Sequence, residues 1–177
     1  MDFQTLFALG MKRYLPPLIV REGMALDLGA SGKYIAPKAL PYGYPNWQFP
    51  RDNIPTQDNK VATIHCYHFL EHLTGERVPL FMKEVERVLE PGGVFNFSVP
   101  YYNTTLAVQN HDHKSWWCED SWDNLFYDHT YGERDWKLHV HFQVVAGINQ
   151  RNLALVGQLV KGPKPSDRPK WYYPESL

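Results

Sequence analysis

The sequence predicts an α/β domain whose mainly parallel sheet is shortened after its first strand and ends in an antiparallel hairpin. Three observations predict it: an apolar run that ends in glycine at residues 24–29, a strand, helix and strand succession at residues 61–100, and two extended runs at residues 136–161. A strand that returns to its sheet through a helix pairs in parallel with the strand that it left.

The first strand is predicted at MALDLG, residues 24–29, because a short apolar run ending in a turn residue is typical of a buried parallel strand. Prolines at positions 37, 41, 45 and 50 interrupt the next segment. Since proline breaks helices, no long helix is expected directly after this strand.

The crossover is the clearest part of the pattern. A β-rich run from Val61 to Cys66 predicts a strand, and apolar residues at helical spacing predict a helix over Thr74 to Glu90. The Pro-Gly-Gly motif at positions 91–93 is expected to end that helix. The alternating run from Val94 to Pro100 predicts the returning strand.

The C-terminal third predicts an antiparallel hairpin of Trp136 to Val144 and Asn152 to Lys161. Strict alternation in its first strand predicts one apolar face and one polar face, with Trp136, Leu138, Val140, Phe142 and Val144 on the first and Lys137, His139, His141 and Gln143 on the second.

The ends of the chain differ from this domain. We expect a short helix up to Tyr14, stopped by two prolines, to pack on the outside as a cover. Residues 1–162 are predicted to form the domain and residues 163–177 a Pro-rich arm. Trp171 and Tyr172 suggest that the arm docks on a protein partner or on a second copy of the chain.

Composition limits the functional classes. The 177 residues carry 18 basic and 19 acidic side chains, so a nucleic-acid partner is not favoured. Two cysteines and the lack of a signal-peptide pattern favour a reducing compartment, and we expect a cytoplasmic protein. No apolar run approaches the roughly 20 residues that span a bilayer, so no membrane association is expected.

Three segments, LDLGASGK, ATIHCYHFLEHL and FMKEVERVLEPGGVFNFSVP, resemble in this order the class I S-adenosylmethionine-dependent methyltransferases, in particular compact type 11-like members. QNHDHKSWWCEDSW is similar to the D-x-x-H-x-x-x-[FW] stretch of such proteins. The resemblance implies a Rossmann-like fold, S-adenosylmethionine as cofactor, and methyl transfer to a small-molecule or peptide acceptor that the sequence does not identify.

The resemblance also implies a cofactor site at the carboxyl ends of the strands. Gly29 and Gly32 permit close approach of the backbone, and Asp27 can accept hydrogen bonds from an ammonium group. Asn46 stands in the region where a ribose-binding acid is usual. Cys66 and Tyr67, past the next strand, are placed near the cofactor. The predicted cofactor-binding residues are Asp27, Gly29, Ser31, Gly32, Asn46, Cys66 and Tyr67.

A histidine near the acceptor is the natural general base, because imidazole titrates near neutral pH. We predict His113 in this role, with His68 as second choice and His72 as a structural neighbour of Glu71. The segment His111 to His113 with His139 and His141 also suggests a metal site. Because H-E-x-x-H is absent and hairpin alternation explains the last two histidines, no metal is predicted.

Two alternatives stay open. The first is a degenerate methyltransferase fold that acts as a binding or structural subunit, as in a bacteriophage assembly. Three departures from the family fit it: the ribose acid is missing, Ala62 replaces an acid at the start of its strand, and Ser31 replaces a glycine. Three tryptophans form either core packing or the wall of an acceptor or partner site, namely Trp116, Trp117 and Trp122.

Overall fold

The computed structural model describes residues 17–30, 35–127, 135–147 and 151–165. In this part of the chain six strands form one sheet in the order β2-β1-β3-β4-β6-β5. The strands are β1 Ala25–Leu28, β2 Leu40–Tyr42, β3 Val61–Tyr67, β4 Leu89–Pro100, β5 Leu138–Gly147 and β6 Leu153–Lys161. The first four pair in parallel, and β6 pairs antiparallel with β4 and β5, which confirms the predicted fold class.

The predicted crossover is confirmed, but its returning strand begins earlier than predicted, at Leu89. Helix α1, Arg77–Val88, connects β3 to β4, and these two strands pair in parallel. The prediction that Pro-Gly-Gly ends the helix is wrong, because Leu89 is already extended and pairs with Val61. The next pair joins Thr63 to Val94, so the motif bulges out of the start of β4.

Strand β2 was not predicted. It is three residues long, lies at the edge of the sheet and pairs Pro41 with Asp27 of β1. A proline lowers the strand propensity of its segment and is tolerated mainly at sheet edges. No helix lies between β1 and β2 among the described residues, which agrees with the expected shortening.

The hairpin is confirmed, but its predicted division into two faces is wrong. Val140 pairs with Leu159 and Phe142 with Gln158, so His141 is an extra residue in β5. A bulge of this kind reverses the faces of all later side chains. Phe142 and Val144 therefore pack in a second cluster on the opposite face of the sheet from Val140, and Gln143, predicted to be on a polar face, is fully buried.

The buried apolar side chains form two clusters, and helices cover the larger one, called the larger core below. Helix α1 buries five apolar side chains against the sheet, and two further helices follow β4, namely α2 Thr105–Val108 and α3 Asp120–Phe126. Trp117 and Trp122 are buried in this core, whereas Trp116 is 60% exposed. Core packing is thus the role of the first two, and only Trp116 is available to contact a ligand or partner.

The predicted N-terminal helix, and Trp171 and Tyr172 of the predicted arm, lie outside the described residues. Among the helices that are described, none combines the length and the apolar character needed to cross a membrane.

Candidate functional site

The candidate ligand site lies where the order of the parallel strands reverses in the sheet. From β1 the chain passes to β2 on one side and then returns to β3 on the other. In open α/β sheets, ligands bind outside the carboxyl ends of the two strands at such a point. These ends are Leu28 of β1 and Tyr67 of β3.

The turn after β1 is closely packed. Gly29 has a φ of +87°, and its amide donates a 2.7 Å hydrogen bond to the Tyr42 carbonyl. A Cβ at position 29 would lie 2.7 Å from the Cβ of Phe69, and one at Gly43 would collide with the Ala30 carbonyl oxygen. The loops after β1, β2 and β3 therefore meet here, in contacts that only glycine permits at positions 29 and 43.

Asp27 is a buried carboxylate at this edge, with 4% of its surface exposed. Its Oδ2 accepts a 2.7 Å hydrogen bond from the Ala36 amide. Burial raises the pKa of Asp27, and the Ala36 hydrogen bond opposes that shift only in part. None of the ion pairs among the described residues includes Asp27. The carboxylate is thus suited to a cationic ligand group.

The structure separates the two predicted residues at the end of β3. Cys66 is fully buried in the larger core, and burial together with the charges of Glu71 and Asp27 raises the pKa of its thiol. Tyr67 packs against the second cluster on the other face, where its hydroxyl lies 2.9 Å from His65 Nδ1. Burial lowers the pKa of His65 to about 4, so this imidazole is neutral. The register pairs Asp27 with His65, so Asp27 lies on the Tyr67 face of the sheet and Cys66 on the opposite face.

The loop after β2 supplies little negative charge. Asn46 is exposed in this loop. Asp52 is the only acidic residue between positions 33 and 57, and its carboxylate accepts hydrogen bonds from Arg51 Nη2 at 2.6 Å and from the Gln48 amide at 2.9 Å. A ribose at this edge would therefore meet a neutral amide. Ser31 and Gly32 lie outside the described residues.

The two predicted general bases converge on one buried carboxylate. His68 follows β3 with a φ of +53°, and its Nδ1 lies 3.3 Å from Glu71 Oε1. His113 Nε2 lies 3.9 Å from the same oxygen. Only 2% of the Glu71 side chain is exposed, against 37% for His68 and 9% for His113.

The metal grouping considered from the sequence is not the one that the structure brings together. His141 Nε2 bonds to the Pro17 carbonyl at 3.0 Å, and His111 is exposed. Instead, His113 lies beside His72, with 5.0 Å between ring centroids. Among the described residues the group with metal-ligand geometry is Glu71, His72 and His113.

Residues 26–97 match the family model of a methyltransferase domain. Over this segment the chain is similar to methyltransferase domains. No curated protein matches the chain at a significant level. The matched methyltransferase segment contains Asp27, Gly29, Cys66 and Glu71, and therefore spans both strand ends of the site.

Solved structures have the same fold as this methyltransferase domain. A Burkholderia thailandensis 1,6-didemethyltoxoflavin-N1-methyltransferase with bound 1,6-didemethyltoxoflavin and S-adenosylhomocysteine aligns with a TM-score of 0.57 and 13% identity, over 81% of this chain and 72% of that chain. A Methanosarcina mazei SAM-dependent methyltransferase gives 0.55 and 13%, over 82% and 95%. A chain in the complex of the Haloferax volcanii Trm112 methyltransferase activator with a protein assigned as a methyltransferase gives 0.53 and 14%, over 80% and 83%. At these identities the likeness concerns the fold alone.

Sequence reasoning missed Glu71 as a member of the site of this methyltransferase domain and named it only as a neighbour of His72. Its position three residues after His68, in the single turn of 3₁₀ helix Leu70–His72, was a usable signal, because residues so near in sequence can come into contact. The contact with His113 crosses 42 positions of the sequence, and no local pattern indicates it.

Proposed function

We propose that the protein transfers a methyl group from S-adenosylmethionine to an acceptor. The observation that carries the proposal is Asp27, a buried carboxylate without a cationic partner among the described residues, at the strand end where this fold binds ligands. A carboxylate in this state stabilises a bound ammonium group through a charge-assisted hydrogen bond.

The residues present fit the cofactor on its amino-acid side. Asp27 would hold the ammonium group, while the turn at Gly29 and its contact with Gly43 keep side chains out of the space around the loop backbone. Asn46 would donate to or accept from the ribose hydroxyls. When bound, S-adenosylmethionine supplies an electrophilic methyl group, and the protein must align the acceptor and exclude water.

The acceptor side of the proposed site contains the predicted bases. His68 is the more exposed, and Glu71 orients its ring through Nδ1, which leaves Nε2 as the atom to take a proton from an acceptor hydroxyl or amine. His113 is nearly buried, and its Nδ1 is bonded to the Ala107 carbonyl at 2.8 Å. The geometry therefore supports His68 ahead of His113 as the general base.

We expect the acceptor to be a small molecule or a peptide group, in a cytoplasmic protein. The near balance of charge supports this class over nucleic acid. Trp116 is an exposed aromatic surface on the loop that carries His113, suited to contact such an acceptor. We also expect the C-terminal arm to bind a protein partner or a second copy.

A second candidate function is a non-catalytic binding or structural subunit with the same fold, including a phage-encoded one. The observation that favours it is the loop after β2, where Asp52 is engaged by Arg51 and Asn46 is neutral. Loss of the charged ribose contact weakens cofactor binding, because hydrogen bonds to ionised groups are roughly twice as strong as neutral ones.

Calorimetric titration with S-adenosylhomocysteine and with S-adenosylmethionine separates the two candidates. We expect both to bind, and Asp27→Asn to weaken binding by about tenfold to 100-fold, as removal of one charged hydrogen bond does. Asp52→Asn is the matched control, because that carboxylate already pairs with Arg51, and its affinity should equal that of the wild type. No heat at millimolar ligand with folded wild-type protein would reject the enzyme and favour the binding subunit.

A further inference from the structure

Glu71 is a buried carboxylate whose hydrogen-bonding capacity the described part of the chain does not fill. Its side chain is 2% exposed, and its Oε2 has no hydrogen-bond partner in the described part of the chain. The other oxygen, Oε1, faces imidazoles at 3.3 and 3.9 Å. Burying a carboxylate costs free energy unless it is paired or coordinates a metal.

Two histidines beside this carboxylate have their tautomers fixed by backbone carbonyls. His113 Nδ1 lies 2.8 Å from the Ala107 carbonyl oxygen, and His72 Nδ1 lies 3.3 Å from that of Asp112. A carbonyl only accepts, so each Nδ1 must carry the proton and donate it. In the neutral form of each ring, Nε2 is then the nitrogen with a free lone pair. The same arrangement orients and fixes the tautomer of histidines that bind metals.

The three side chains come from two loops at the carboxyl edge of the sheet. Glu71 and His72 belong to the turn after β3, and His113 belongs to the segment after β4. One ligand atom from each lies within 4.8 Å of the other two. His72 is only partly buried, so the group is open to solvent on that side.

From this geometry we propose that Glu71, His72 and His113 bind a divalent transition-metal ion of the Zn²⁺ type. Two imidazole nitrogens and one carboxylate suit Zn²⁺, whereas Mg²⁺ and Ca²⁺ prefer oxygen ligands. Three protein ligands leave a fourth position for water or for a ligand group, which matches the opening beside His72. The ion neutralises the Glu71 charge and joins the two loops. The proposal does not depend on methyl transfer.

Binding is tested by calorimetric titration of the full chain, prepared without a histidine tag and treated with a chelator, with Zn²⁺ and then with Mg²⁺. We expect one equivalent of Zn²⁺ and no competition from Mg²⁺. Co²⁺ as a spectroscopic substitute should give the intense visible absorption of a tetrahedral site. His72→Gln and Glu71→Gln should weaken Zn²⁺ binding by more than about 100-fold, beyond the loss typical of an outer-sphere partner.

His111→Ala is the matched control, since this exposed histidine lies near the group without belonging to it. Its Zn²⁺ affinity should equal that of the wild type. Circular dichroism reports folding of each variant, and the partly exposed His72 keeps the test valid if Glu71→Gln does not fold. Equal affinities of wild-type, His72→Gln and His111→Ala proteins, or absence of stoichiometric binding to folded wild-type protein, would overturn the proposal.

Discussion

The two ends of the sheet treat a buried charge in opposite ways. At the amino end of β4, Lys161 Nζ donates to three acceptors, Asn59 Oδ1 at 2.6 Å and the carbonyls of Glu86 at 2.5 Å and Leu89 at 2.6 Å. At the carboxyl end of β3, Glu71 has one oxygen without any partner among the described residues. An ammonium has three donors, so Lys161 is saturated by the fold. Glu71 retains capacity to bind.

This difference separates a structural charge from a candidate binding group. A saturated buried ion holds elements together and has no capacity left for a ligand, whereas an unsaturated one costs stability until a ligand arrives. Asp27 resembles Glu71 in this respect, with one recorded hydrogen bond and a pKa that burial raises. Both unsaturated carboxylates lie at the edge where ligands bind in this fold.

The largest expected effect on stability comes from removing the charge of Lys161. Lys161→Met should destabilise the protein by about 3 kcal/mol, because it removes the donor from three acceptors, of which the Leu89 carbonyl is buried and the other two are partly buried. Urea unfolding measures the change, and Lys137→Met, at an exposed lysine nearby, should shift stability by less than about 0.5 kcal/mol. Equal effects of the two substitutions would mean that Lys161 is not a structural tie.

Removing the charge of Glu71 should instead raise the stability of the protein. With metal removed by a chelator, Glu71→Gln is expected to stabilise the protein by about 1 kcal/mol, because it removes an uncompensated buried charge and keeps the shape of the side chain. Urea unfolding in the presence of chelator measures this. A loss of stability of about 2 kcal/mol or more would instead show that His68 and His113 already neutralise the carboxylate.

The smallest effect is a pH dependence at Asp27. Because burial raises its pKa above the ordinary 3.8, the folded state holds this proton to higher pH than the unfolded state does. Stability contributed by Asp27 therefore falls as pH rises from 3.8 through the raised pKa, and it stays lower above that value. Asp27→Asn should remove this fall and be more stable than the wild type at pH 7 by less than about 1 kcal/mol.

Urea unfolding of wild-type and Asp27→Asn proteins at about pH 3.5 and at pH 7 measures this pH dependence. A stability difference between the two proteins that is independent of pH would contradict the assignment of the fall to Asp27. If Asp27→Asn is more stable than the wild type but binds S-adenosylhomocysteine more weakly, the same buried carboxylate lowers stability and contributes to ligand binding.

Local sequence signals predicted the elements that carry strong periodicity. The crossover from Val61 to Pro100 and the C-terminal hairpin were both confirmed, because apolar spacing of helix α1 and the extended runs report directly on burial. Strand β2 was missed because a proline in a three-residue segment hides its strand character.

Other features depend on contacts that the local sequence does not encode. The bulge at His141 is set by packing on two faces, since it allows Phe142 to enter one cluster while Gln143 donates to the Glu119 carbonyl on the other face. The group around Glu71 requires His113 to be folded back across the sheet edge. The sequence therefore predicted the histidines of the candidate site, but not that Glu71 lies between two of them.

The brevity of β2 has a consequence for self-association. An unpaired sheet edge is a template on which a strand from another molecule can add, which leads to aggregation or to continuous sheets between copies. Here the outermost strand on that side spans three residues and includes Pro41, which has no amide hydrogen to offer. An incoming strand would gain few backbone hydrogen bonds, so this edge of the sheet resists strand addition, and an assembly through this edge must use side-chain surfaces.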